Sequence, residues 1–201
     1  MLRRSCFAVT AAILLSSAPP LAAQIAWDSP PLLGTAAPSG LSLFLVDPVG
    51  GDLGGLATFR HQAGPVGLGY RFALAEENVS DDIAVSGGVD VSGYLARGMD
   101  GSEVDALWWS GLGAGVGSEL LVSVPLGILF AWSGDSGDAV LSPYGGAHVA
   151  LDFITGPGDT ADLSGAIDLG IDVALPSNWV VRFGASLGDR EAIAIGVKVG
   201  S

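Results

Sequence analysis

Between Ala161 and Leu175 every odd-numbered position is apolar or glycine, while the even positions carry Asp162, Ser164, Ala166, Asp168, Gly170, Asp172 and Ala174. A period of two sustained over this length commits the segment to a β-strand with two unlike faces. Only an extended chain points successive side chains to opposite sides.

The alternation recurs along the chain. From Ile83 to Leu95 the apolar-or-glycine set is Ile83, Val85, Gly87, Val89, Val91, Gly93 and Leu95, and from Val66 to Leu74 it is Val66, Leu68, Tyr70, Phe72 and Leu74. Near the end Ile193, Ile195, Val197 and Val199 share a face. The pattern predicts ten strands, at about 40–46, 54–62, 65–76, 82–96, 104–117, 119–132, 139–153, 161–175, 178–187 and 190–199. Turn chemistry separates them at Asp47-Pro48, Gly134 to Asp138, Gly156 to Asp159, Pro176 to Asn178 and Gly188-Asp189. Residues 24–39, with Pro30, Pro31 and Pro38, read as an extended lead-in to a single domain over 40–201.

Hydrophobic types make up 49% of the chain and charged ones 14%. Disordered chains have the opposite bias, so disorder is excluded. Met1 to Ala23 carries Arg3 and Arg4, an apolar stretch from Phe7 to Leu15 and a small-residue exit, the pattern of a secretory signal peptide. Cleavage after Ala23 would leave 178 of the 201 residues, with six basic residues instead of eight against 21 acidic ones. So acidic a chain does not attract nucleic acid, which requires clustered Lys and Arg. Cys6, the only cysteine, would leave with that segment, so neither a disulfide nor thiolate chemistry is expected in the remainder.

Two architectures alternate in this way. A soluble β-sandwich or lipocalin-like barrel has one face on a core and the other in water. A membrane barrel has one face on lipid and the other on its lumen. Predicted strands of 10–15 residues favour the second, because soluble strands cluster near 5–6 residues and bilayer strands need about 9–11. The less apolar face is made of Gly, Ala, Ser and Asp, small enough for a narrow closed interior. Trp108, Trp132 and Trp179 fall towards one rim of such a barrel, and Tyr70, Phe72 and Phe153 towards the other. These are candidate aromatic girdles.

With its leader, long alternating strands and closing hairpin from Asn178-Trp179-Val180 to Ile195-Gly196-Val197, the chain resembles the small outer-membrane β-barrel proteins of Gram-negative bacteria, the OmpA, OmpX and OmpW types. Such barrels often end in an aromatic residue; this chain ends Val197-Lys198-Val199-Gly200-Ser201. The resemblance implies an antiparallel up-and-down transmembrane barrel of 8–10 strands in contact with outer-membrane lipid. A structural, adhesive or narrow-channel role follows, in which small solutes are the possible cargo. The alternative is a periplasmic or secreted soluble binding protein.

Candidate chemistry is sparse, and no catalytic residue, metal ligand or cofactor is expected. His148 and Asp152 share a strand face but stand about 13 Å apart by the rise per residue. His61 lies beside a predicted turn. Gly111, Gly113, Gly115 and Gly117 precede no helix, as a phosphate loop would require; a glycine column in a strand instead permits close packing. Asp81-Asp82 and the pairs Asp135/Asp138 and Asp159/Asp162 lack the spacing of a calcium loop. If the turn at Pro176 to Asn178 pairs Leu175 with Trp179, Asp172 faces Arg182 across the interior. Arg71, Asp90, Asp162, Asp168 and Lys198 fall on the same inward set. That charge set favours cations weakly along any conductive path.

Overall fold

The computed structural model describes residues 27–34, 39–48, 52–63, 66–76, 83–98, 103–117, 119–137, 139–155, 160–176 and 179–199. The predicted leader, 1–23, lies outside the described residues, as do Asp81, Asp82, Asp138 and Asp159.

The chain forms an all-β, closed antiparallel barrel. Its strands are β1 (Gly40–Pro48), β2 (Gly54–Ala63), β3 (Val66–Glu76), β4 (Ile83–Ala96), β5 (Val104–Val116), β6 (Leu120–Trp132), β7 (Gly134–Ser136), β8 (Ala139–Thr155), β9 (Thr160–Ala174), β10 (Val180–Gly188) and β11 (Ala192–Val199). Sequential strands pair in turn, β6 passes on to β8, and β11 returns to β1. Ten strands therefore make the ring. Short β7, which the sequence reads as a turn, only extends the hairpin into β8 through Gly134↔Leu141. A single closed ring has no second layer, so the sandwich alternative is not what the chain forms.

Register fixes the geometry. From Ser42, partners run through Thr58, Arg71, Gly88, Gly113 and Ser123 to Asp152 of β8. In the other direction they run through Lys198, Val180 and Ala174 to Val140 of the same strand. The two arrivals differ by twelve residues, which is the stagger of the ring. For ten strands this implies a tilt of about 40°. The ladder between β5 and β6 breaks between Ser110↔Leu126 and Gly113↔Ser123. Pro125 sits in the gap and has no N–H to donate, and the Ser110 hydroxyl donates instead to the Pro125 carbonyl at 2.8 Å.

Burial follows the period of two. In β6 exposed and buried residues alternate over most of the strand. The exposed ones are leucine, valine, isoleucine, phenylalanine and tryptophan. Among the described residues, the Asp, Glu, Lys, Arg and His side chains on the outward face of a strand are Asp47, His61 and Glu76, each within two residues of a strand end. The buried side carries the charges, Arg60, Arg71, Asp90, Asp152, Asp168, Asp172 and Arg182, together with His148. The barrel is apolar outside and polar within.

Candidate functional site

The interior is filled by the chain itself. Trp27 to Gly34, read from the sequence as part of a lead-in, are all buried inside the ring. Gly34 lies against Tyr144 and Asp172, near the mouth where β1 begins. Asp28 reaches Arg190, in the β10–β11 connection at the far mouth. The segment thus runs along most of the lumen, a plug continuous with the first strand.

Three of its side chains anchor it. Leu32 packs with Phe44, Val46, Leu56, Ala73 and Ala194, and Leu33 packs with Leu107, Trp109, Leu129, Ala131 and Tyr144. Trp27 lies flat against inward-facing glycines. A Cβ at Gly88 would come 2.5, 2.6 and 2.7 Å from three atoms of its ring, and one at Gly113 would also collide with it. Glycine is required there because the indole occupies the space a side chain would take. Gly88→Ala is therefore expected to expel Trp27 while leaving the wall's register intact. Circular dichroism would stay unchanged, and acrylamide quenching of tryptophan fluorescence would rise. Unchanged quenching would contradict the docking described.

Four polar groupings line the lumen. Nearest the β1 mouth, Arg182 holds Asp172 with two bonds, Nε to Oδ1 at 3.0 Å and Nη2 to Oδ2 at 3.1 Å. Beside it, Asp90 is shared by Arg60, through an ion pair, and Arg71, at 3.3 Å. At mid-height His148 Nδ1 lies 2.7 Å from Asp168 Oδ2, and Asp168 Oδ1 accepts from Ser186 at 2.6 Å. Towards the far mouth Arg190 pairs with both Asp28 and Asp152. Ser123 and Ser164 complete the shell of Asp152, the latter at 2.8 Å. Such buried charges are tolerable because each has a partner.

The plug meets these groups as an acceptor. Arg71 donates to the carbonyls of Pro30 at 2.8 Å, Asp28 at 3.4 Å and Pro31. Arg182 Nη2 donates to the Leu32 carbonyl at 2.7 Å, and Arg190 donates to the Asp28 carboxylate. Ser29 Oγ stands 3.5 Å from His148 Nε2.

Of the residues singled out in the sequence, Arg71, Asp90, Asp168, Asp172 and Arg182 are buried in the lumen. Asp162 shares their inward side but is exposed at the far mouth, and Lys198 is half-buried near the β1 mouth. Trp132 ends β6 and Trp179 precedes β10, both exposed and at the β1 mouth. Trp108 lies further into its strand, over Gly93. Phe153 is near the far end of β8, whereas Tyr70 is mid-strand in β3 with its ring 6.4 Å from that of Phe59. Tyr70 and its neighbour Phe72 therefore belong to the middle of the wall rather than to the far rim. His148 does not meet Asp152; its partner is Asp168, the diagonal neighbour across the β8–β9 ladder, where Gly146 is the residue opposite Asp168.

Arg60, Arg190 and Asp28 are the lumen charges that sequence reading did not assign. With them and Asp152, which sequence reading placed on a strand face but not in the lumen, the buried set is four arginines and five aspartates, one carboxylate in excess. No protein-family model, curated protein or solved structure matches the chain.

Proposed function

We propose that this chain is a transmembrane barrel of a bacterial outer membrane, closed along its lumen by its own N-terminal segment. Its role is structural or the passage of small solutes, without catalysis. One observation carries the reading: large apolar side chains face outward on every strand of the ring, while the buried charges face inward. In water that arrangement would leave a continuous oily belt exposed, far beyond the few hundred Å² usual for a soluble monomer. In a bilayer it is the low-energy arrangement, because a closed ring leaves no unpaired sheet edge and presents hydrocarbon to lipid. Dimensions agree with this. The strands of the ring run from 8 residues in β11 to 17 in β8, and one of about 12 residues tilted by about 40° rises about 30 Å, against an apolar band of about 25 Å in such barrels.

The connections narrow the role. Within the ring the longest runs over residues 97–103. So little surface beyond the barrel offers scant area for adhesion. Ser29, His148 and Asp168 stand in the order of a nucleophile, a base and an orienting carboxylate. All three are buried, so no substrate carbonyl reaches Ser29, and we read these contacts as docking the plug.

The deciding experiment is fractionation of the exported protein. It is expected with the outer membrane, resistant to carbonate extraction, and migrating differently on a detergent gel before and after boiling, with Gln24 as its first residue. Recovery as a detergent-free soluble protein would establish the periplasmic alternative.

A further inference from the structure

We propose that Arg60, Arg71 and Arg182 form an oxyanion-binding site at the β1 mouth, and that the plug's backbone carbonyls hold this site as a tethered stand-in for the ligand. A cavity at that mouth is lined by these three arginines together with Ser42, Thr58 and a single acid, Asp90. Asp172, which pairs with Arg182 behind it, brings the local balance to three guanidiniums against two carboxylates. The site stands on this geometry and not on the membrane reading.

Two further observations give the plug its part. First, Arg71 and Arg182 each turn N–H donors on plug carbonyls, those of Asp28, Pro30 and Pro31 for Arg71 and that of Leu32 for Arg182. A planar guanidinium matches the paired oxygens of a carboxylate or phosphate better than such isolated carbonyls. In addition, Leu32 has φ of 53°. That left-handed conformation is strained for a bulky residue and persists only while its surroundings enforce it. Arg71 and Arg182 grip the carbonyls of Pro31 and Leu32, on either side of that torsion. An oxyanion that engages these arginines removes the grip, and relief of the torsion then favours withdrawal of the plug. Binding at the mouth is thereby coupled to opening of the lumen.

The test uses the full chain carrying Cys6→Ser and Ser29→Cys, refolded in detergent, with maleimide labelling of the buried thiol as the readout. Inorganic phosphate and succinate, in separate arms, are each tried against potassium chloride at equal ionic strength. A faster labelling rate in either oxyanion arm but not in chloride is expected, and the responding arm tells phosphate from carboxylate recognition. Arg71→Lys, which keeps the charge but loses the planar fork, should lose most of that acceleration. Should Arg71→Lys fail to refold, Arg182→Lys replaces it, with the same loss expected. Equal acceleration by all three salts, no acceleration by any, or full acceleration in the lysine variant would overturn the proposal. Because labelling is done in detergent, these outcomes are independent of where the protein fractionates.

Discussion

Replacing Asp90 by alanine is expected to destabilise the barrel by about 3–5 kcal/mol, the cost of breaking a buried ion pair from one side. Asp90 is 1% exposed and is the acid shared by Arg60 and Arg71. Neither arginine can neutralise itself by losing a proton. Their remaining partners are neutral: Ser92 for Arg60 at 2.9 Å and plug carbonyls for Arg71. Two cations would then face each other across a lumen of low dielectric. The measurement is the urea midpoint of the refolded protein, with Asp47→Ala as control. Asp47 is exposed at a strand end, and its loss should stay within about 0.5 kcal/mol. A double variant, Asp90→Ala with Arg60→Met, should recover part of the loss, because it removes one uncompensated cation together with its counter-ion. If Asp90→Ala matches the Asp47 control, water reaches the arginines and the network is not the closed one described.

Strands were readable from the sequence because each repeats a choice between two faces many times over. The pattern from Ala161 to Leu175 yields β9 to within a residue at either end. The turn after it sets the register by length alone, with Leu175 N–H donating to the Trp179 carbonyl at 2.8 Å and Arg182 opposite Asp172. The plug left no such trace. Trp27-Asp28-Ser29-Pro30-Pro31-Leu32-Leu33-Gly34 has no period, and its prolines exclude both helix and ladder. The signal that could have exposed it was volumetric: Gly88, Gly111 and Gly113 share the inward side of adjacent strands, and a ring cannot leave that space empty. Arg60 was hidden because β2 places His61 beside it, so parity there favours neither polar residue. Arg190 was hidden because it follows the Gly188-Asp189 turn, and only the register of β8, β9 and β10 brings that turn towards Asp152. The pairing of His148 with Asp168 depends on cross-strand register, which spacing within one strand does not contain.

The second large effect concerns the outer wall. Leu126 is the central residue of β6 and 58% exposed. If lipid covers it, Leu126→Arg places a cation near the bilayer midplane, at a cost of about 2–4 kcal/mol. If water covers it, the same change on an exposed side chain costs no more than about 0.5 kcal/mol and improves solubility. The same substitution at Leu120, at the end of the strand, should cost about 0–1 kcal/mol in lipid because the side chain reaches the headgroups. Depth dependence is the diagnostic, since a packing defect would have no reason to follow distance from the strand's centre. The expected result is a marked loss of folded protein in lipid vesicles for Leu126→Arg and little for Leu120→Arg. The two variants should behave alike in detergent micelles, whose thin apolar belt adapts to a charge. Equal tolerance at both depths in vesicles would mean that the apolar face meets something other than hydrocarbon.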